Sequence, residues 1–360
     1  MSRLNGREPI NCTKYKYLNT SNKGCACSFS AGQGRVGRVI AIEALKRGHQ
    51  VTTFHRGSKP TPEGAISITG DRLNSDDYEG LSGLAFDAVI DTWQGHPAAV
   101  TNAWTALAGR FRYYAYVSSI SVYQQPDSAS LISRTEDTPL ADVSQPEPNG
   151  YIVNKRLAEV IAEENGKQQG IPVLFARAGM IFGLGDYSPS SNRLFWWLNR
   201  MRRGGPVLAP GPRDNPIQFV DVRDLAEFLV NAAETRLAGS YTANGDIGAT
   251  TMGELLEEAN AVTGKHAELK WTSPEVILEA GIEPWTELPC WLPPNTVDHC
   301  SMYSWDVSKA RAAGLKMRPV TDTVKDTWAW MQSGQQAESY DTVNWTIGLN
   351  SEKEAKVLGL

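Results

Sequence analysis

Short β-rich runs alternate with helical patterns from Lys23 to about Arg177. Six runs are predicted to be strands: Cys25–Ser30, Gln50–Phe54, Ala65–Thr69, Ala88–Asp91, Tyr113–Ser118 and Val173–Arg177. Between the first two, RVGRVIAIEALKRG repeats its apolar residues at helical spacing and closes on Gly48. Strands that alternate with helices build a parallel sheet with helices on both faces. The pattern therefore predicts an α/β fold with a doubly wound parallel sheet.

The second half of the chain has a looser pattern. Loops rich in Pro and Gly, such as GLGDYSPSSN and APGPRDNP, are interleaved there with helical stretches. We expect a smaller C-terminal substrate-binding lobe over the carboxyl edge of the sheet, where ligands bind in open α/β folds. The predicted organisation is a disordered extension at 1–22, a Rossmann-type domain at 23–177, a substrate lobe at 178–332 interleaved with the last sheet elements, and a C-terminal tail at 333–360.

The overall composition is that of an ordinary globular protein. Its 360 residues are 41% hydrophobic and 21% charged, and the net charge of −5 gives no electrostatic reason to expect nucleic acid. The five cysteines are scattered, so neither a zinc site nor a disulfide framework is indicated, and we expect no metal. No run approaches the length of about 18 apolar residues that a membrane helix needs.

The N-terminal segment leaves two interpretations open. It lacks the apolar core of a signal peptide, which favours a soluble, cytoplasmic protein. Up to Lys23 its basic residues outnumber a single acid, Glu8. A disordered tail is the favoured interpretation, and an organelle-targeting peptide is the alternative.

A glycine-rich turn, GQGRVG, lies between the first predicted strand and the helix. Glycine lets the backbone turn sharply and approach a pyrophosphate, and the amides at the helix N-terminus receive its charge. The turn therefore predicts a dinucleotide site that includes Gly32, Gly34, Arg35, Val36 and Gly37. A glycine-rich loop without a ligand is the alternative.

The end of the second strand favours NADP(H) over NAD(H). A carboxylate there would accept the ribose 2′-hydroxyl, whereas an arginine would meet a 2′-phosphate. The residues are Phe54, His55 and Arg56, without an acid, and Arg35 is a second candidate guanidinium. Asp71, after the third strand, is a candidate acceptor for the adenine amino group. Solvated surface positions are the alternative for all three charged residues.

Two further motifs suggest proton chemistry. YIVNK places Tyr151 and Lys155 on one helix face, where an ammonium would lower the tyrosine pKa from its usual value near 10. YVSSISVY reads as a buried strand whose Ser119 could hold a substrate carbonyl oxygen. Ordinary strand-end hydrogen bonding is favoured for Ser118 and Ser121.

Taken together, these motifs resemble the extended branch of the short-chain dehydrogenase/reductase superfamily, specifically its NAD-dependent epimerase/dehydratase-like family. The resemblance runs from about Lys23 to Met331 and includes GDR, RAGMIFGLGD and QFVDVRDLAEF. It implies that Ser119 orients a carbonyl, that Tyr151 is the general acid/base, and that Lys155 binds the nicotinamide ribose and lowers the tyrosine pKa.

The resemblance also implies a pocket and an assembly. Trp93 and Phe182 should border the substrate, which would be a small molecule, and a homodimer is common in the family. The chain departs from the family pattern at Ala31, where the glycine turn usually begins, and in the weakly aliphatic first strand CACSFS. Ile120 and Ser121 occupy the positions where sugar dehydratases of the family carry an Asp-Glu pair, which disfavours dehydration.

Three functions follow as hypotheses. The leading one is an NADP(H)-dependent oxidoreductase that moves a hydride to or from a carbonyl or hydroxyl carbon, with Tyr151 moving the proton. The second is a nucleotide-sugar epimerase with tightly bound NAD. The third is a non-catalytic nucleotide- or RNA-binding member of the fold.

Overall fold

The molecule is built around a parallel sheet of seven strands, with a second core beside it. The computed structural model describes residues 26–29, 34–58, 60–129, 133–144, 150–185, 192–333 and 346–360. The predicted extension at 1–22 and Gly32 of the glycine turn lie outside the described residues.

The strands are β1 Ala26–Phe29, β2 Thr52–His55, β3 Ile66–Thr69, β4 Ala88–Asp91, β5 Tyr114–Ser119, β6 Val173–Ala178, β7 Met180–Phe182, β8 Gly205–Pro210, β9 Pro216–Ile217, β10 Phe219–Asp221, β11 Gly239–Ala243, β12 Thr250–Thr251, β13 Ala267–Thr272, β14 Pro284–Trp285 and β15 Leu288–Pro289. The α-helices are α1 Arg35–Lys46, α2 Ala98–Ala106, α3 Tyr151–Gln169, α4 Arg193–Arg203, α5 Val222–Thr235, α6 Met252–Val262, α7 Pro274–Glu279, α8 Val297–Tyr303, α9 Ser308–Ala312, α10 Val320–Gln332 and α11 Ser351–Leu358. Short 3-10 helices span Asp76–Leu81 and Ile120–Val122.

The order of the main sheet is β11-β6-β5-β4-β1-β2-β3, and every neighbouring pair is parallel. The predicted α/β class with a doubly wound parallel sheet is confirmed. All six predicted strands are present, with ends displaced by no more than two residues. The seventh strand, β11, was not predicted because GSYTA is short and mostly small or polar.

Helices cover both faces of this sheet. Side chains alternate between the faces of a strand, so the two faces of β5 contribute to different cores. Ala115 and Val117 pack with α1 and α5, whereas Tyr114 and Tyr116 pack with α2 and α3. This covering leaves the two ends of the strands as the accessible edges of the sheet.

Helix α5 and strand β11 lie within residues 178–332 and belong to the layers of the sheet. Helix α9 also packs against the sheet, through Ala310. Most other elements of that segment share a second core, in which α4 and α6 pack with β8 and with Trp291. Two-stranded pairings such as β8 with β13 extend this lobe. None of the helices in the described ranges is long and apolar enough to span a membrane.

Helix α11 lies in the segment that we expected to be a tail, 333–360. Its Glu354 is buried and accepts hydrogen bonds from Arg200 Nε, at 3.0 and 3.3 Å, and from the amide of Leu208 at 2.9 Å. This buried ion pair ties the helix to α4 and β8. The pattern SEKEAKVL has little apolar content, so a docking contact made by an acid could not be read from it.

We expect Glu354→Gln to lower the free energy of unfolding by about 3 kcal/mol, because the change leaves the buried Arg200 guanidinium without its counter-charge. Lys356→Ala, at an exposed position of the same helix, is the matched control and should change stability by less than about 0.5 kcal/mol. Urea unfolding of the full chain measures both. Equal stabilities of the two variants would show that α11 is not held by this ion pair.

Candidate active site

The N-terminus of α1 is open to an anion. Gly34 caps the helix without a side chain, and the first turn contains no acidic residue. Among the described residues, no atom lies within 4 Å of a Cβ built on Gly34. Val36 and Gly37 continue the helix toward the core. Helix N-termini of this kind attract phosphates through their unpaired amides and the helix dipole.

The two candidate arginines of the cofactor site lie in different surroundings. Arg35 donates from Nη2 to the carbonyl of Ile181 at 2.7 Å and from Nη1 to that of Gly183 at 3.5 Å, so its guanidinium connects α1 to the end of β7. Arg56 is exposed directly after β2. Of the two, Arg56 is the guanidinium at the end of β2, the position at which we predicted the choice between NADP(H) and NAD(H).

His55 holds the turn that carries Arg56. Its Nδ1 accepts from the amide of Gly57 at 3.0 Å, which leaves the ring proton on Nε2 facing Thr61 Oγ1 at 2.9 Å and Ser67 Oγ at 3.1 Å. Burial lowers the pKa of His55, so the ring is neutral near pH 7. Sequence reasoning did not assign this histidine a role.

Asp71 lies in the turn after β3. Its carboxylate accepts from the amide of Leu73 at 2.9 Å, and its own amide donates to Asp77 at 2.6 Å. The position is the predicted one, after the third strand, while the adenine contact stays a prediction.

Ser119 ends β5 and lies at the carboxyl edge of the sheet. Its Oγ accepts from the amide of Ser121 and donates to the Ser121 hydroxyl, both at 3.1 Å. Ser121 therefore takes part in the strand-end hydrogen bonding that we expected for it. Ser118 differs from the expectation, because its buried Oγ has no hydrogen-bond partner among the described residues.

Tyr151 begins α3 and reaches Ser119. The residue is 45% exposed, and its hydroxyl lies close to Ser119. Burial of the hydroxyl raises the pKa of Tyr151, and the nearby Ser119 opposes the rise. The expected lowering of this pKa is thus wrong for this arrangement, and the phenol is protonated near neutral pH.

The side chain of Lys155 is directed to two backbone carbonyls rather than to Tyr151, so it does not lower the tyrosine pKa. Its Nζ donates to the carbonyls of Trp93 and Val117, both at 2.6 Å, and lies 4.6 Å from the centre of the Tyr116 ring. Burial lowers the pKa of Lys155 to about 7, although the negative charges of Asp91 and Glu159 raise it in part. An ammonium has three N–H donors, so one remains for a ligand.

The two residues expected to border the substrate are placed differently. Trp93 follows β4, is partly exposed, and donates from Nε1 to the carbonyl of His96 at 2.7 Å. Phe182 is 2% exposed and stacks on Phe219 with ring centres 4.5 Å apart. The Phe182 ring is therefore a core residue with almost no surface for a substrate.

A buried ion pair near the site was missed from the sequence. Arg72 Nη1 and Nη2 donate to the two Asp91 oxygens at 2.5 and 2.6 Å, and Tyr114 donates to the same carboxylate at 2.6 Å. Burial raises the pKa of Asp91, but the Arg72 guanidinium outweighs burial and holds that pKa below its ordinary value. The sequence does offer one indication of this ion pair. Asp91 is the last residue of the apolar strand AVID, and a carboxylate that is buried with such a strand is almost always paired with a cation.

No metal site accompanies these groups in the part of the chain that the structure describes, where no three His, Cys, Asp or Glu side chains come together to hold an ion.

Comparison with known proteins decides the family. The model of the NAD dependent epimerase/dehydratase family matches residues 32–243, more than half of the chain. The chain belongs to this family. The matched range includes the glycine turn, Ser119, Tyr151 and Lys155, so the predicted family resemblance is confirmed.

Individual relatives are distant from this family member. It is 24% identical over 212 residues to the chloroplast stem-loop binding protein of 41 kDa b of Arabidopsis thaliana, covering 54% of this chain and 52% of the relative. It is 27% identical over 158 residues to the dTDP-4-dehydro-6-deoxy-D-allose reductase of Streptomyces bikiniensis, covering 43% and 47%. The chain thus spans about half the length of the curated relatives it matches.

A solved structure shares the fold over a longer range. The UDP-glucose 4-epimerase of Thermus thermophilus, in complex with NAD, superimposes with a TM-score of 0.63 over 86% of this chain and 99% of that one, at 18% identity. This likeness supports the Rossmann-type architecture of the family member.

We expect the stability of the protein to rise with pH above about 7 because of Lys155. Its pKa is about 7 in the folded chain but near 10.4 when unfolded, so between these values the unfolded chain binds the additional proton. Raising the pH through this window stabilises the fold by up to about 1.4 kcal/mol per pH unit.

Urea unfolding between about pH 6.5 and 9 checks this against Lys155→Met, which lacks the group and should show a smaller pH slope. Lys167→Met, at an exposed lysine of the same helix, is the control and should keep the wild-type slope. The same slope in all three proteins would contradict the assignment.

Proposed function

We propose that this protein is an NADP(H)-dependent oxidoreductase of the extended short-chain dehydrogenase/reductase type. It acts on a carbonyl or hydroxyl carbon of a small-molecule or sugar-like substrate. The observation that carries the proposal is that Ser119, at the carboxyl end of β5, lies beside the Tyr151 side chain, with buried Lys155 on the same helix as Tyr151.

The residues at this edge fit a dinucleotide. The amides of α1 from Gly34 to Gly37 would hold the pyrophosphate, since no side chain of the described residues caps them or comes within 4 Å of a Cβ built on Gly34. The remaining N–H of Lys155 would donate to a ribose hydroxyl. Asp71 would accept from the adenine amino group. The nicotinamide, when bound, supplies or accepts the hydride.

Tyr151 would be the proton donor in the direction of reduction. Its raised pKa keeps the phenol protonated near neutral pH, so a proton is available for a carbonyl oxygen that gains charge. Ser119 would turn its hydroxyl from Ser121 toward the same oxygen and stabilise the developing charge. In the direction of oxidation the Tyr151 phenolate would receive the proton of the substrate hydroxyl, and the raised pKa of the phenol favours the direction of reduction near neutral pH.

The preference for NADP(H) rests on the end of β2. No carboxylate follows this strand, and the exposed Arg56 could pair with a 2′-phosphate. Arg35 contributes less to this preference, because its guanidinium already donates to the carbonyls of Ile181 and Gly183.

A nucleic-acid role is the second candidate function, and one observation favours it. A matched relative is named as a chloroplast stem-loop binding protein. The net charge of −5 and the Ser119, Tyr151 and Lys155 arrangement weigh against this role. An internal redox cycle, as in an epimerase, is a related catalytic variant, and a structural neighbour is a UDP-glucose 4-epimerase.

We expect Arg56→Ala to weaken NADPH binding roughly tenfold and to leave NADH binding unchanged, because the change removes one charge-assisted contact to the 2′-phosphate. Arg112→Ala is the matched control, since this exposed arginine precedes β5 and lies at the opposite edge of the sheet. Ligand fluorescence titrations measure both cofactors.

Equal loss of NADPH and NADH affinity would contradict the 2′-phosphate role of Arg56. Retained NAD that co-purifies and supports turnover without added cofactor would favour the epimerase. Failure to bind either cofactor, together with saturable binding of a stem-loop RNA, would favour the nucleic-acid role.

Tyr151→Phe should lower kcat by about 10² to 10⁴ while NADPH still binds, because the variant lacks only the proton-transferring hydroxyl. The measurement is NADPH oxidation on a carbonyl substrate found by screening the wild-type protein. Tyr241→Phe removes a hydroxyl that donates to the carbonyl of Ala238, away from the site, and should keep wild-type turnover. Full activity of Tyr151→Phe would remove this residue from the mechanism.

A further inference from the structure

The carboxylate of Asp91 receives four hydrogen bonds at the end of β4. Arg72 donates two of them, Tyr114 donates one, and the amide of Trp93 donates the fourth at 2.9 Å. Both members of the ion pair are almost fully buried. A buried pair of this kind is an uncertain source of stability, because desolvation offsets much of its attraction. The pair does, however, hold neighbouring groups in position.

The residue that it positions most directly is Trp93. The N–H of Trp93 donates to Asp91, while its carbonyl accepts from Lys155 Nζ at 2.6 Å and from the Tyr116 hydroxyl at 2.8 Å. The Arg72 guanidinium also lies 5.4 Å from the centre of the Trp93 ring. Trp93 is thus held at both ends of its backbone.

The two carbonyls that hold Lys155 differ in how they are fixed. Val117 belongs to β5 and pairs with Ala176 of β6, and its neighbour Tyr116 pairs with Asp91 of β4, so strand pairing sets its position. Trp93 lies two residues beyond the end of β4, outside the sheet. The position of the Trp93 carbonyl therefore depends on hydrogen bonds with side chains. One of them comes from the strand, because Asp91, the last residue of β4, accepts a hydrogen bond from the Trp93 amide.

We propose that the Arg72–Asp91 ion pair is a positioning device for the cofactor-binding lysine, because it fixes the Trp93 carbonyl that orients the Lys155 ammonium. Arg72 and Asp91 are positioning residues that need not touch cofactor or substrate. The cofactor-binding role of Lys155 rests on the proposed function, whereas the positioning of the loop does not.

The electrostatics around Lys155 add a second effect of the pair. Asp91 from β4 and Glu159 from α3 favour the ammonium, Arg72 opposes it, and the Tyr116 ring of β5 faces it. Of the two members of the ion pair, Asp91 affects the pKa of Lys155 more than Arg72 does. Removing both members should therefore shift the deprotonation of Lys155 to lower pH.

The test replaces the pair with apolar residues, in the double variant Arg72→Met/Asp91→Leu, so that no unpaired charge is left buried. The matched control is Arg200→Met/Glu354→Leu, which removes a buried ion pair between α4 and α11. The first measurement is hydrogen exchange of the full chain without cofactor. We expect faster exchange at residues 92–97 in the double variant and wild-type exchange there in the control.

The second measurement is NADPH affinity as a function of pH. The wild-type affinity should fall as the pH rises through about 7, and in the double variant the fall should begin at lower pH. At neutral pH its Kd for NADPH should be about tenfold higher, which corresponds to one lost charge-assisted hydrogen bond. A merely structural contribution would leave the pH midpoint unchanged.

A second, milder variant is included in case the double variant does not fold. Tyr116→Phe removes only the hydroxyl that donates to the Trp93 carbonyl and should accelerate exchange at 92–97 to a smaller extent. Wild-type exchange at 92–97 in either variant, or an unchanged pH midpoint in the double variant, would overturn the proposal. If the wild-type protein binds neither NADPH nor NADH, the proposed function fails, and the exchange data alone decide the positioning of the loop.

Discussion

Parallel pairing of the seven strands is the constraint on which the candidate site depends. Because all seven strands run in one direction, their carboxyl ends lie on one edge, and the residues that follow them meet there. Ser119 ends β5, Asp91 ends β4, and His55 ends β2. Residues more than sixty positions apart in the sequence thus share one site, to which α3 adds Tyr151 and Lys155.

The same edge concentrates buried charge. Arg72 pairs with Asp91 at the end of β4, and Arg177 of β6 pairs with Glu159 of α3 at 2.9 and 3.0 Å. The interior of the sheet is apolar, so these pairs lie at the point where strands give way to loops. Buried pairs have strict geometric demands, and they can therefore fix loops that strand pairing does not reach. The chemistry proposed for Ser119 and Tyr151 would depend on such fixed loops.

Local patterns predicted much of this arrangement, and long-range contacts account for what they missed. Apolar, β-rich runs identified six strands, and the rule that ligands bind at carboxyl edges placed Ser119 at the predicted cofactor edge. The family resemblance grouped Ser119 with Tyr151. Helical spacing placed Tyr151 and Lys155 on one face, but it could not show that the lysine turns to the Trp93 carbonyl. The pairing of Glu354 with Arg200 across 154 residues leaves no local trace in the sequence. Phe182 was assigned to the pocket from its motif, whereas its packing on Phe219 depends on the pairing of β7 with β10.

The central claim is that a dinucleotide binds at this edge, with its parts spread over α1, the end of β2 and Lys155. Hydrogen exchange of the full wild-type chain with and without saturating NADPH tests it most directly. The account predicts slower exchange at residues 34–38, 55–58, 92–96 and 117–121 and in the first turn of α3, with no change in α11. Unchanged exchange at all of these segments, or protection confined to another surface, would contradict it.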